Sequence, residues 1–157
     1  MRLLMKMADG LNQLKDLPPL FFRLVLAYGF FGPFMMKVHG TDGFAHFLQT
    51  LGVPAPTFFA WLTMIFEGAG VICLFFGFIT RIITIPLIVI LANAIFLVHW
   101  QNGYNPGENG FAIPLLYGLI LIDLLITGPG RISVDAIITG AYKRKRSGHG
   151  GAPPPQM

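Results

Sequence analysis

Four long apolar blocks stand out along the chain, each interrupted by at most one charge. Pro19 to Met36 contains only Arg23, Thr57 to Ile79 contains only Glu67, and Phe111 to Thr127 contains only Asp123. Ile82 to Trp100 holds no Asp, Glu, Lys or Arg. Each block is close to the roughly 17–25 residues that cross a bilayer as an α-helix. The pattern predicts helices over about 19–36, 57–79, 82–100 and 111–127. A soluble helical bundle would need polar outer faces on these segments, and they have none. The expected fold class is therefore all-α: an integral membrane four-helix bundle.

The single acid in the second block is compatible with insertion. Twelve residues between Thr57 and Ile79 are Leu, Ile, Phe or Val, and each favours insertion by about 0.3–0.6 kcal/mol. Their sum, roughly 4–7 kcal/mol, exceeds the cost of about 3 kcal/mol for one central carboxylate. The helix inserts with Glu67 in place, but that residue carries a cost.

Composition supports lipid as the surrounding medium. Hydrophobic residues make up 54% of the 157-residue chain and charged residues 11%, less than half of the roughly 25% common in soluble domains. One cysteine, Cys73, excludes an internal disulfide and any paired-cysteine redox or zinc motif. The net charge of +4 is unevenly spread. Arg2, Lys6, Lys15 and Arg23 lie at or before the start of the first block, Arg81 between the second and third, and Arg131 and Lys143 to Arg146 after the fourth. The two remaining connections, 37–56 and 101–110, hold only Lys37. The positive-inside rule then predicts that both termini are cytoplasmic and that those two connections face outward.

These boundaries divide the chain into a cytoplasmic N-terminal segment (1–17), a transmembrane domain (18–140) and a basic tail (141–157). No cleavable signal peptide is expected, because the first apolar block carries Arg23 and lacks a small-residue cleavage site. The tail ends in SGHGGAPPPQM, a composition that predicts disorder. Its Lys143 to Arg146 run follows a membrane segment directly, so anionic lipid rather than nucleic acid is the expected contact. The predicted location is the bacterial plasma (inner) membrane, crossed several times, with the lipid bilayer as the main partner.

The polar residues inside the apolar blocks are the candidate chemistry. Arg23 and Asp123 lie at matching depth near the cytoplasmic face, which suggests an ion pair joining the first and fourth helices. The alternative is that Arg23 snorkels to headgroups while Asp123 bonds locally. Glu67 shares a stripe with Ala60, Thr63, Gly70, Leu74 and Gly77 at 100° per residue, and small residues there admit a neighbouring backbone. It therefore faces other helices, with Lys37, Asn93 or Tyr28 as candidate partners. Its role is either a structural bond between helices or a mid-membrane site for a proton or polar ligand. His39, His46 and His99 gather toward the outer side without metal-ligand spacing, so no metal is expected. Cys73 reads as a packing residue.

The combination GFFGPFMMKVHG (29–40), LGVPAP (51–56), FEGAGVICLFFGFITR (66–81), HWQNG (99–103) and GPGRISVDAII (128–138) resembles the DoxX family of small bacterial membrane proteins. The resemblance spans about residues 18–140 and implies a four-helix membrane domain. Carried over by position, the family's polar pattern falls on Arg23, Lys37, Glu67, Arg81, His99 and the Arg131, Ser133, Asp135 group. It also implies association with quinone-linked redox systems, since the family is named for a subunit of a terminal quinol oxidase and has relatives linked to thiosulfate:quinone oxidoreduction. The expectation is an accessory subunit with no intrinsic cofactor, with room for a quinone and for other membrane redox subunits as partners. A non-catalytic scaffold or small-molecule permeation bundle is the alternative. Whether the chain catalyses a reaction is open at this stage. Glu67, Lys37, His99 and Asn93 are the candidate intramembrane polar site.

Overall fold

The structure is a computed structural model and describes Met1 and residues 14–147. Among the described residues every regular element is helical. Helix α1 spans Leu17–His39, α2 Thr41–Thr50, α3 Pro56–Phe76, α4 Thr80–Ala94, α5 Ala112–Thr127 and α6 Val134–Ser147. Beyond Ala94 the fourth helix loosens into a π turn, Ile95–His99, and then tightens into a 3-10 turn, Trp100–Asn102.

Among the described residues three helices are long and apolar enough to cross a membrane: Leu17–His39, Pro56–Phe76 and the continuous Thr80–Asn102. Helix α5 is apolar but shorter, at 16 residues, or about 24 Å of rise. Outward-facing positions are large and apolar, among them Phe21, Phe58, Ile72, Ile82, Phe96 and Ile126, all more than half exposed. Such a surface is stable against hydrocarbon and would be untenable in water.

Helix ends follow local chemistry. Prolines stand in the first turns of α1 and α3, where a missing amide hydrogen leaves no bond unmade. The α3 helix stops at Gly77 with φ 67°, and the Phe78 amide closes on the Cys73 carbonyl at 2.9 Å, the wrapped ending that a left-handed residue permits. Apolarity alone extended the second block to Ile79, and this turn ends it three residues earlier. The next helix correspondingly starts at Thr80, ahead of the expected 82, because the Asp135 carboxylate accepts from the amides of Ile79 at 2.7 Å and Thr80 at 3.0 Å.

The core joins Leu26, Ala27 and Phe30 of α1 to Leu74 of α3, Leu87 of α4 and Leu121 of α5. Along α3 the stripe of small residues does face its neighbours: Ala60, Glu67, Gly70, Leu74 and Gly77 are buried. A methyl group at Gly70 would lie 2.8 Å from the Leu87 side chain, so α3 and α4 touch closely there.

Two expectations change. The 37–56 connection contains a ten-residue helix, α2, carrying Phe44, Phe47, Leu48 and then Leu51 at helical spacing. Residues 141–147, expected to be disordered, complete helix α6. The remainder of the tail, 148–157, and most of the 1–17 segment lie outside the described residues.

Candidate functional site

A cavity of about 1020 Å³ opens among α1, α2, α3, α4 and α5, toward the end where α1 finishes and α3 begins. Two prolines contribute to its shape. Pro33 within α1 and Pro86 within α4 both line it, and each removes one rung of the helix ladder and bends the helix. The π turn of α4 adds a third irregularity on the same wall, at His99. Interruptions of this kind are tolerated at membrane depth where the backbone lines a cavity, and π turns recur at functional sites. Helix α2 contributes Phe44, Phe47 and Leu48 to the lining.

Lys37, Glu67, Asn93 and His99 all line this one cavity. The Lys37 ammonium donates to both carboxylate oxygens of Glu67, at 2.8 Å and 3.0 Å, and approaches the Pro33 carbonyl at 3.5 Å. It also sits 4.7 Å from the centre of the Phe44 ring, a cation–π contact. The side chains are 12% and 5% exposed, so both charges have left water and each requires the other. Asn93, a candidate partner of Glu67, instead donates its amide to the Val89 carbonyl at 2.8 Å. Tyr28, the third candidate, is 83% exposed on the outer face of α1. His99 bonds through Nδ1 to the Asn109 carbonyl at 2.7 Å, tying the end of α4 to the turn before α5.

At the opposite end the structure corrects the expected Arg23–Asp123 pair. Arg23 is 1% exposed and donates to the carbonyls of Leu74, at 3.5 Å, and Ile132. The reason lies in helix ends: the last carbonyls of α3 have no amide partner within the helix and carry partial negative charge. The buried guanidinium reaches one of them, that of Leu74, and takes its second acceptor from Ile132 in the turn before α6. Asp123 makes no ion pair among the described residues.

The remaining motif residues also tie this end together. The Arg81 guanidinium donates to the Ile126 carbonyl at 3.0 Å. Ser133 caps α6 by accepting from the Ala136 amide at 3.2 Å. The Arg131 amide donates to Asp16 at 3.2 Å, while its guanidinium, 82% exposed, lies 3.9 Å from the same carboxylate; that exposed pair contributes little. Asp135→Ala removes both acceptors at the start of α4, and a loss of about 1–2 kcal/mol in unfolding free energy is expected by denaturation in detergent. An unchanged stability would show that water replaces the carboxylate there.

Phe44 and Tyr117 are among the cavity residues that carry no signal in the sequence. Phe44 belongs to the unforeseen α2, and Tyr117 lies in an apolar block where an aromatic residue carries no special signal. The Tyr117 ring packs directly over Gly29, where any side chain would collide with it. Among the described residues no group of three potential metal ligands occurs. His46 is exposed, His39 bonds Met35 within α1, and Cys73 is a free, buried thiol.

Comparison with known proteins adds a family. A family model described as DoxX matches residues 19–100. An uncharacterized protein of Haemophilus influenzae is 31% identical over 130 residues, covering 80% of this chain and 86% of its own. A Bacillus subtilis protein named "Putative oxidoreductase CatD" is 28% identical over 139 residues, covering 88% and 98%. The Escherichia coli inner membrane protein YphA is 28% identical over 117 residues, covering 71% and 82%. No solved structure matches the chain.

Proposed function

The chain belongs to the DoxX family, as a multi-pass protein of the bacterial plasma membrane in contact with lipid, and from that premise we propose that it is an accessory subunit of a quinone-linked redox system. The single observation carrying this reading is the large apolar cavity with one buried ion pair in its wall. Ligand sites have this character: mostly hydrophobic lining with a few placed polar groups. A quinone has the matching chemistry, an apolar ring and isoprenoid tail with two polar oxygens. The word oxidoreductase in the name of the Bacillus relative points the same way.

In this reading α5 is the fourth span of a four-helix bundle, both termini are cytoplasmic, and the cavity opens toward the outer leaflet. Ten of the eleven basic residues favour that orientation, Lys37 being the exception. Reporter fusions after Gly52 and Gly107 are expected to signal outside, and those after Arg81 and Gly140 inside. An inside signal at either of the first two positions would overturn the arrangement.

The ligand is tested by purifying the protein in mild detergent and extracting its lipids. Quinone is expected in roughly one-to-one ratio with protein, and Phe44→Trp, which enlarges a side chain lining the cavity, is expected to reduce it. A quinone content no higher than that of an unrelated membrane protein purified alongside would reject the proposal. One observation favours the second reading, a scaffold or permeation bundle without a redox ligand: Lys37 and Glu67 bond each other directly, as a pair joining two helices does. In that case the Phe44 variant leaves the cellular phenotype intact.

A further inference from the structure

The polar atoms that line the cavity are unequal in what they offer a ligand. The donors of Lys37 are engaged: two bonds go to Glu67, and the Pro33 carbonyl takes the remaining direction. Asn93 and His99 present the opposite case. The Val89 carbonyl can only accept, so the Asn93 group facing it is the NH₂, which leaves its carbonyl oxygen without a partner among the described residues. The Asn109 carbonyl likewise can only accept, so His99 carries its proton on Nδ1. In the neutral ring Nε2 is then a bare lone pair, and no bond to it exists among the described residues.

Both residues lie on α4 and line the same cavity. The helix therefore brings to one cavity wall two residues, exposed Asn93 and half-buried His99, each with one acceptor, Oδ1 or Nε2, left over by the bond its other polar atom makes. The fixing is independent at each site, since the bond that sets Asn93 is to its own helix and the one that sets His99 is to the turn before α5. Tyr117 and Thr63 also line the cavity, and their hydroxyls can donate or accept and so favour neither kind of ligand.

We propose that His99 and Asn93 make this cavity selective for a hydroxyl-bearing headgroup, so that it takes the reduced hydroquinone in preference to the oxidised quinone. The inference rests on the quinone reading of the cavity. A hydroquinone donates two O–H groups, which match two acceptors. A quinone carbonyl is itself an acceptor, and against Nε2 and Oδ1 it leaves lone pairs facing lone pairs in apolar surroundings. Sites arranged to bond a hydroxyl reject analogues that lack it, because the site's own polar atoms are left unpaired.

The test uses full-length protein in lipid nanodiscs free of native quinone. A decyl-tailed benzoquinone and its hydroquinone are titrated separately, the latter without oxygen. The wild-type protein is expected to bind the hydroquinone at least about tenfold more tightly, which raises the potential of the bound couple by about 30 mV per decade of preference. In His99→Phe and Asn93→Leu the hydroquinone affinity is expected to fall and the quinone affinity to rise, so that the ratio between the two forms shrinks toward one. Equal binding of both forms by the wild type, tighter quinone binding, or a preference that survives in both variants would overturn the inference. If the wild type binds quinone without preference, the quinone reading stands and only this selectivity fails. If it binds neither form, both fall. Should a variant fail to fold, the wild-type ratio still decides.

Discussion

Glu67→Leu is expected to destabilise the folded protein by about 3–5 kcal/mol, because it strands the Lys37 ammonium in an apolar cavity wall. The helix carrying the substitution would insert more readily than before, so the loss belongs to packing and not to insertion. Lys37→Met should be damaging for the mirror reason, leaving a carboxylate near the middle of α3. The double change, Lys37→Met with Glu67→Leu, is expected to recover most of the stability, since an apolar pair of similar volume often matches a buried ion pair. Glu67→Gln retains one carbonyl oxygen toward Lys37 and should fall between, at about 1–3 kcal/mol. Unfolding in a graded detergent series measures all four. A double variant less stable than Glu67→Leu would show that the charges are held by something other than each other. Loss of ligand from the stable double variant would assign the pair a binding role as well.

The second large effect is expected at Gly77. Its φ of 67° lies in the left-handed region, and a methyl group there would run into the Arg23 guanidinium and stand 2.6 Å from the Ser133 side chain. The conformation alone costs a residue with a side chain about 1–2 kcal/mol. Displacing Arg23 from the Leu74 and Ile132 carbonyls forfeits charged hydrogen bonds of about 1.5–3 kcal/mol. Gly77→Ala should therefore lose about 3–5 kcal/mol, whereas Gly32→Ala, which meets open space in α1, should be neutral or slightly stabilising. Equal effects at the two glycines would mean that the Arg23 cluster does not hold this end. The same measurement on Asp123→Leu should show little change, in contrast to an ion-paired residue.

What the sequence made readable depended on contrast. A lone Glu, Asn or His within an apolar block is conspicuous, and Glu67, Asn93 and His99, with Lys37 at the edge of its block, could be singled out without knowing what lay between them. The partner of Arg23 was not readable, because backbone carbonyls have no letter in the sequence: charge invited a search for a carboxylate, and the end of α3 and the turn before α6 supplied the acceptors. Helix boundaries failed for a related reason. The start of α4 depends on Asp135, 55 residues away, and hydropathy carries no trace of that bond. Helix α2 was missed because its ten residues mix Thr, Asp, Gly and Gln with the phenylalanines, so its apolar face is narrow. Tyr117 was hidden by the opposite circumstance, an aromatic residue in a block where every neighbour is apolar.

The connection between α3 and α4 is only Gly77, Phe78 and Ile79. So short a tether obliges the two helices to leave the ribosome's insertion machinery as one hairpin. Lys37 is made 30 residues ahead of Glu67, roughly 1.5–6 s earlier at common rates of synthesis. The base is thus already at the membrane when the acid arrives, and the hairpin delivers Glu67 to a waiting counter-charge. Lengthening the tether, even with residues that disturb no folded contact, should slow maturation of the nascent chain more than it weakens the finished protein.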